Sequence, residues 1–363
     1  MSLPATLTVI KSYSGPVSKT YTVDENRRIK KIPAANMYEG KAKRITISFK
    51  KLKRELKRAN CNIVFSYGIF AKKYGNEVTI VVAGKEVPSE GIISRTQNYF
   101  KYRACPGVIM IDYDPSEYGR DYSKEDLLDI FGDIFPAFNE AAMLVRGSLS
   151  SGVHFVGESP QENGGLHFYV PVLDASDIPR FGKLLFNYLW LHGHGYIALS
   201  ASGHLLIRAP NDVAVYSSER LDFVGEPIIE DERLTFTPPK IYEYDGGYLD
   251  TSALKDLTPD QELQLKTLIN DAKKAIAPEA AKKRAEWKAT KIDTLVSSGV
   301  AAEKATRVIE DMLKGGCKEL PEDFVLEFTD QSVRVSDVLS NPQQFDGKAL
   351  GNSQKINRHR FTD

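Results

Sequence analysis

The chain has 363 residues, and its 48 lysines and arginines equal its 48 aspartates and glutamates, so no overall positive charge marks it as a nucleic-acid-binding protein. A chain of this length can bury a sizeable core and is expected to form two domains. Three cysteines without metal-binding spacing argue against a disulfide framework, and no apolar leader or membrane-length apolar run occurs, which predicts a cytoplasmic protein without membrane spans.

The first functional signal along the chain is a basic stretch. Residues 1–40 contain only short β-prone segments, whereas residues 41–58 carry nine lysines and arginines against the single acid Glu55. Apolar residues at helical spacing within this stretch predict an amphipathic helix with one basic face. Such a face fits a nucleic-acid phosphate backbone, although a solvated surface helix would look the same. The lysines expected to contact DNA are Lys50, Lys53 and Lys57.

A buried strand with two carboxylates at its end follows at residues 108–114. Because side chains alternate along a strand, Asp112 and Asp114 are expected to point the same way, with Tyr113 opposite. Two carboxylates on one face repel each other unless a cation lies between them, and Mg²⁺ or Mn²⁺ prefers carboxylate oxygen. The alternative is a plain strand end followed by a turn at Pro115.

Beyond the aspartates, residues 123–138 are predicted to form a helix with a capping-box start, and residues 141–145 a strand. The segment 146–154 then places small hydroxyl residues between two glycines directly after that strand. Backbone N–H groups of such a loop can face an anion, although an ordinary turn has a similar composition.

Residues 164–170 alternate as a strand, with Leu166 and Phe168 on the apolar face and His167 on the other. A histidine in this setting is often only a half-buried structural residue, but its face is the one that can look towards the aspartates. A second helix is predicted at residues 176–192.

The next segments supply a further acid and an arginine. Residues 196–208 are predicted to form a hairpin, with Asp212 just after it, and residues 218–225 a strand that carries Arg220. The proline- and glycine-rich residues 226–247 then suggest a domain boundary.

The composition changes at Thr258, which combines a threonine cap with proline at the first helical position. About three helices are predicted up to residue 316, with breaks at Pro278 and at residues 297–299. Residues 324–328 and 333–335 suggest a terminal strand pair, and the last dozen residues are expected to be disordered.

The aspartate strand, a helix, the serine-glycine loop, the Gly-Leu-His strand, a further acid and the arginine segment follow one another in that order. This order resembles the catalytic core of the archaeo-eukaryotic primase superfamily, the primase-polymerases, and in particular its plasmid, phage and integrated-element branch. The resemblance covers residues 90–225. The segments that carry it are Ser94-Arg95-Thr96, residues 108–114, residues 148–152, residues 164–170, Asp177-Ile178-Pro179-Arg180-Phe181 and residues 219–225.

The resemblance implies a role for each matching residue. Paired aspartates in that family hold two catalytic Mg²⁺ or Mn²⁺ ions with a third acid, and a histidine contacts the incoming nucleotide. By position, the metal-binding acids would be Asp112, Asp114 and Asp212, and the histidine His167. The nucleotide-binding residues would include Arg146, Ser148, Ser150, Ser151 and Arg220, and Arg95 would contact DNA.

Two of these assignments have competitors. His154 also stands in a small-residue context, but the Gly-Leu-His strand favours His167, because a histidine at the end of a loop is less firmly held. Asp222 competes with Asp212 as the third acid.

The resemblance also implies a fold and partners. An α/β (α+β) fold is expected, with an RNA-recognition-like, mostly antiparallel catalytic sheet backed by helices in residues 1–245, a helical domain at 255–316 and a strand pair with a flexible tail at 317–363. The partners would be a single-stranded DNA template, NTPs or dNTPs, and a separate replicative helicase, since no Gly-x-x-x-x-Gly-Lys-Ser/Thr loop occurs.

Two other functions share these residues. One is a catalytically silent module that binds single-stranded nucleic acid, and the other is a metal-dependent nuclease, because Asp-x-Asp sites also serve hydrolysis. The predicted triphosphate contacts at Ser148, His167 and Arg220 favour nucleotidyl transfer over both.

Overall fold

The structure is a computed structural model that describes residues 3–32, 37–160, 164–297, 299–313, 325–328, 331–340 and 342–345. The chain divides into two compact units. The first comprises Met1–Ala198 with Ile207–Asp271, and the second Leu199–Leu206 with Ala272–Asp363. Helices and mainly antiparallel sheets alternate along the chain, so the expected α+β class is confirmed.

The strands follow one another from the amino-terminal sheet to a short terminal pair. In chain order they are β1 (Pro4–Ser12), β2 (Thr20–Val23), β3 (Ile29–Ile32), β4 (Gly40–Ser48), β5 (Ile63–Ser66), β6 (Glu77–Val81), β7 (Ile92–Ser94), β8 (Gly107–Tyr113), β9 (Met143–Gly147), β10 (Val153–Phe155), β11 (Leu166–Val172), β12 (Tyr196–Leu199), β13 (Leu205–Arg208), β14 (Ile228–Ile229), β15 (Leu234–Phe236), β16 (Ile241–Tyr244), β17 (Val325–Glu327) and β18 (Ser332–Arg334). The predicted strands at residues 108–114 and 164–170, the hairpin and the terminal pair are therefore confirmed.

The α-helices are α1 (Phe49–Arg58), α2 (Lys124–Ile134), α3 (Ile178–Leu191), α4 (Pro259–Ser297), α5 (Ala302–Leu313), α6 (Val335–Ser340) and α7 (Pro342–Phe345). The predicted capping box of α2 is confirmed, because the side chains and backbone N–H groups of Ser123 and Asp126 bond reciprocally. The helix is shorter than predicted, since the chain continues from Pro136 as a 3₁₀ turn.

A four-stranded antiparallel sheet in the order β16-β9-β11-β8 organises the first unit around the aspartates. Strand β8 leads through α2 to β9, and β11 lies between them, which is a split β-α-β arrangement. Asp112, His167 and Arg146 are paired side by side across the sheet, so they share one face. Helix α2 covers the opposite face, where the rings of Phe131 and Phe168 lie 5.4 Å apart.

A second sheet in the same unit has the order β5-β1-β4-β6-β7 and an apolar core that includes Ile10, Phe70 and Phe100. The predicted helix at residues 41–58 is wrong in its first half, since those residues form β4. Exposed Lys41 and Lys43 alternate there with buried positions, a period of two that suits a strand, and Ser48 then caps the helix by accepting from the Lys51 N–H.

The predicted strand at residues 218–225 is also wrong. Only Asp222 pairs there, with Phe65 on β5, through two backbone hydrogen bonds of 2.8 and 3.0 Å. The chain turns just before, where the Arg220 N–H donates to the Ser217 carbonyl, so the segment cannot run straight along a neighbouring strand.

The predicted boundary at residues 226–247 lies inside the first unit, which extends to Asp271. This segment contains β14, β15 and β16, and β16 forms the edge of the four-stranded sheet. Proline residues are compatible with this position, because an edge strand pairs on one side only.

The predicted helical region contains α4 and α5, and α4 runs without interruption through Pro278. The break predicted at that proline is therefore wrong. A proline removes one backbone hydrogen bond, and the alanine-, glutamate- and lysine-rich sequence on both sides offsets that loss. The threonine cap is confirmed, because Thr258 and Gln261 bond each other's backbone N–H groups. The predicted disordered tail lies outside the described residues.

Arg180 lies in one of the segments that carry the expected resemblance, and its side chain connects α3 to the chain that follows β16. Its guanidinium donates to the Asp177 carboxylate at 2.6 and 2.8 Å and to the carbonyl oxygens of Thr251 and Leu254 at 3.0 Å each. The side chain therefore has a structural role in this protein.

Arg180→Ala should lower the free energy of unfolding by about 2–3 kcal/mol, because several charge-assisted hydrogen bonds are lost together. Urea denaturation followed by circular dichroism measures this change. Lys183→Ala, an exposed site on the same helix, is the control and should change it by less than about 0.5 kcal/mol. Equal effects of the two variants would contradict the structural role.

Candidate active site

The predicted catalytic residues surround one cavity of about 270 Å³ in the first unit. Its charged lining combines four acids with three basic groups, so carboxylates are in excess. The lining residues that matter for chemistry are Lys19, Asp112, Asp114, Ser148, His167, Asp212, Arg220 and Asp222. Residues distant in sequence are thus brought to one place.

The two paired aspartates lie at the carboxyl end of β8. Asp112 is the penultimate strand residue and stands directly opposite His167 on β11. Asp114 follows the strand and lies against Gly165, where an added Cβ would come within 2.8 Å of the Asp114 Oδ1. A glycine at position 165 therefore leaves room for this carboxylate.

The carboxylates of Asp112 and Asp114 differ in their environment. Burial raises the pKa of Asp114, and the negative charge of Asp112 raises it further. Burial also acts to raise the pKa of Asp112, but the attraction and hydrogen bonding of His167 outweigh it, so that pKa is lowered. Burial opposes the charged form of His167, yet Asp112 raises its pKa overall. The site therefore holds one well-compensated carboxylate and one that lacks a sufficient positive partner.

His167 is held from both sides. Its Nε2 lies 3.2 Å from Asp112 Oδ1, and its Nδ1 lies 3.7 Å from Asp222 Oδ1 and 3.2 Å from the Tyr169 hydroxyl. The Tyr67 hydroxyl donates to Asp222 Oδ2 at 2.7 Å. Asp222 is thus on the far side of the imidazole from Asp112, and its negative charge also raises the pKa of His167.

Asp212 approaches the pair by another route. Its backbone N–H donates to the Asp112 carbonyl oxygen at 2.9 Å, which fixes the chain after the hairpin beside β8. Its carboxylate accepts from the Ala214 N–H at 3.0 Å and lines the cavity. Since His167 separates Asp222 from Asp112, Asp212 is the better candidate for a third acid.

Arg146 is not on the cavity, in contrast to the sequence prediction. It is 2 % exposed and donates to the Tyr169 hydroxyl at 3.0 Å, and that hydroxyl lies 3.2 Å from Nδ1 of His167. Its position in the middle of the sheet, rather than in the loop that follows, explains the difference. Arg146 is therefore hydrogen-bonded to a neighbour of His167 and does not itself line the cavity.

Only the first serine of the predicted anion loop lines the cavity. Ser148 does so, with its Oγ 2.8 Å from Ser150 Oγ, whereas Ser151 donates to the Ser148 carbonyl oxygen and faces a second cleft. The loop is a 3₁₀ turn, Leu149–Gly152, so successive side chains point in different directions.

His154 lies elsewhere, and the expectation that it ends a loose loop is wrong. It belongs to β10, which pairs with β15, and its side chain is buried with Nε2 3.1 Å from the Thr237 hydroxyl. It is therefore well fixed but lies outside the lining of the cavity.

The predicted DNA-contacting residues are divided. Arg95 donates to the Glu219 carbonyl oxygen at 2.8 Å and so supports the segment before Arg220. Lys53 is paired with Glu243 on β16 at 2.7 Å, whereas Lys50 and Lys57 are exposed on α1. The charge of Lys53 is thus paired with an acid, whereas the sequence predicted an unpaired surface lysine.

Lys19 is the cavity residue that sequence reasoning missed. It precedes β2 in a stretch without any recognisable motif, and the parallel pairing of β2 with β14 fixes it there, with the Ile228 N–H donating to its carbonyl oxygen. Burial lowers the pKa of Lys19 despite the neighbouring acids. No local signal could have identified it, because a contact over two hundred residues in sequence creates the site.

The carboxylate oxygens at this cavity are suitable ligands for a hard divalent cation. Asp112 Oδ1 is buried and, besides its close contact with His167, has no hydrogen-bond partner among the described residues. Among those same residues, no three histidine, cysteine, aspartate or glutamate side chains form a ready-made metal-binding cluster. The carboxylates of Asp112, Asp114 and Asp212 nevertheless match Mg²⁺ or Mn²⁺ in ligand type and charge.

Among the residues that the structure describes, none of the helices combines the length and the hydropathy of a membrane span. The chain matches no protein-family model, no curated protein and no solved structure in these comparisons.

Proposed function

We propose that this protein is a primase-polymerase, a metal-dependent nucleotidyltransferase that adds nucleotides to a primer or to an initiating nucleotide on a single-stranded DNA template. One observation carries the proposal. The end of β8 brings Asp112 and Asp114 into a cavity shared with Asp212, His167 and Arg220. An acid cluster beside basic groups suits a triphosphate whose charge is balanced by divalent cations.

The acids and the basic groups would divide the work. Asp112, Asp114 and Asp212 would hold Mg²⁺ or Mn²⁺, which supplies charge neutralisation for the attacking and leaving oxygens when it is bound. His167 and Arg220 would bind the triphosphate oxygens through charge-assisted hydrogen bonds. In the reaction the primer 3′-oxygen bonds to the α-phosphorus as the bond to pyrophosphate breaks.

The support for His167 is its rigid mounting. Asp222 and the Tyr169 hydroxyl fix its Nδ1 side, and Phe168 on the same strand is fully buried on the opposite face. A preorganised side chain loses little entropy when it binds a ligand, so positioning contributes directly to rate.

Two other functions predict different results. A nuclease would use the same acids to hydrolyse phosphodiesters, but Lys19, His167 and Arg220 on one cavity favour a triphosphate ligand. In a silent binding module, nothing would require two mutually repelling carboxylates such as Asp112 and Asp114 in one cavity.

The discriminating assay supplies labelled nucleotide, single-stranded template and Mg²⁺ or Mn²⁺, with and without a primer. Incorporation supports transfer, and products formed without primer support initiation. Loss of template length would favour the nuclease instead. If the template is bound and neither product appears, the silent module is favoured.

The exposed lysines of α1 are expected to contribute to template binding. Lys50→Gln and Lys57→Gln should each reduce the slope of log affinity against log salt concentration by about 0.7 for single-stranded DNA. Each variant loses one phosphate contact, so fewer counterions are released when the DNA binds. Lys53→Gln is the matched control on the same helix, since Glu243 already neutralises that charge. Fluorescence anisotropy at several salt concentrations measures the slopes. Unchanged slopes for Lys50→Gln and Lys57→Gln would assign the helix to plain surface.

A further inference from the structure

A second cleft lies in the first unit, with a volume of about 450 Å³. It combines aromatic side chains with lysines, an arrangement that binding of single-stranded nucleic acid commonly uses. The residues that carry the argument are Lys124, Ser151, Gly165, Lys240 and Tyr242. Lys124, Lys240 and Tyr242 have no role in the chemistry proposed above.

The central feature of this cleft is the exposed ring of Tyr242. It lies on the edge strand β16 and is 38 % exposed. The ammonium groups of Lys124 and Lys240 lie 4.5 and 4.7 Å from the ring centroid. The cleft therefore offers a π surface bordered by positive charge.

The two lysines are not equivalent. Lys124 is 2.6 Å from Glu125 and donates to the Tyr244 hydroxyl at 2.7 Å, so its charge is partly compensated and its position is fixed. Lys240 is exposed and has no acidic partner within the described part of the chain. Its flexible side chain can leave the ring and reach a phosphate group.

The cleft shares a wall with the candidate active site. Ser151 and Gly165 line the cleft, while Ser151 donates to the carbonyl oxygen of Ser148 and Gly165 packs against Asp114. Ser148 and Asp114 line the other side of this wall. A ligand in the cleft would thus be separated from the aspartates by the backbone at Ser148–Ser151 and at Gly165.

We propose that this cleft binds a segment of single-stranded nucleic acid, with one base stacked on Tyr242 and an adjacent phosphate on Lys240. Every base has a π face, so such a site tolerates any sequence. The negative backbone complements the uncompensated lysine. As the path of a template or primer strand, this assignment rests on the proposed function, whereas the binding itself does not.

The test is the binding of a labelled oligothymidylate to the full chain, without nucleotide or divalent metal, followed by fluorescence anisotropy. Tyr242→Ala should weaken binding about five- to a hundredfold, because stacking of one base contributes ~1–3 kcal/mol. Tyr242→Phe should retain most of the affinity. Lys240→Gln should reduce the salt slope by about 0.7.

Tyr13→Ala is the matched control, since Tyr13 is exposed and lies outside the cleft. Circular dichroism checks that the variants are folded. Wild-type affinity in folded Tyr242→Ala, or an equal loss in Tyr13→Ala, would overturn the inference. If binding depends on Tyr242 but no nucleotide is incorporated, the cleft is supported as a binding site and the proposed function is rejected. If nucleotide is incorporated but Tyr242→Ala binds as the wild type does, the proposed function is supported and the cleft is rejected as a binding site.

Discussion

Asp112→Asn and Asp114→Asn should each reduce nucleotide incorporation about a hundred- to a thousandfold. Asparagine keeps the size of the side chain but removes the negative charge that a divalent cation needs. Loss of one preorganised electrostatic group in a catalytic site has effects of this order. The measurement is primer extension at saturating nucleotide with Mg²⁺ or Mn²⁺.

Stability separates a catalytic effect from a folding effect. The raised pKa of Asp114 means that its ionised form is disfavoured in the folded state, by burial first and by Asp112 second. Near neutral pH, Asp114→Asn should therefore leave the free energy of unfolding unchanged or increase it. Asp121→Asn, an exposed acid after the same strand, is the control and should retain full incorporation. Near-normal incorporation by Asp114→Asn would reject the assignment of the metal site.

His167→Ala should raise the nucleotide concentration for half-maximal rate about ten- to a hundredfold and also lower the rate. A charge-assisted hydrogen bond to a triphosphate oxygen contributes roughly 1.5–3 kcal/mol, and its loss accounts for this range. His167 is suited to this contact because the Tyr169 hydroxyl lies against its Nδ1, whereas its Nε2 is on the side of the aspartates, where a metal-bound triphosphate would lie. Nucleotide titration in primer extension measures both quantities.

The matched comparison is His154→Ala. Its imidazole is buried against Thr237 and is absent from the cavity lining, so the substitution should lower stability and leave the nucleotide requirement close to that of the wild type. Both variants are compared by thermal unfolding and by titration. The reverse ranking in the titration would transfer the nucleotide contact from His167 to His154.

Much of the local architecture follows from the sequence. The apolar run before Asp112 predicts β8, and the alternation around His167 predicts β11 with the correct face towards the aspartates. The caps at Ser123 and Thr258 also predict their helices correctly. These features depend on residues within a few positions of one another, which the sequence contains directly.

The incorrect expectations concern segments whose local pattern fits two structures. Lysines at positions 41–48 suit an exposed helix face as well as an exposed strand face, and pairing of β4 with β1 and β6 decides for the strand. The prolines at 238 and 239 suggest a linker, but pairing with β9 makes the following residues an edge strand. In both cases a distant partner strand selects the structure.

The sequence by itself determined the Asp112-x-Asp114 pair, the strand that carries it and the candidate histidine on β11. Only the tertiary structure showed that Lys19 lines the cavity and that Arg146 is buried against Tyr169 outside it. It also showed that Asp222 lies at Nδ1 of His167, on the far side of the ring from Asp112. The physical reason is that strand register and parallel pairing fix which distant residues meet. Those contacts depend on the packing of the whole unit, and no short segment contains them.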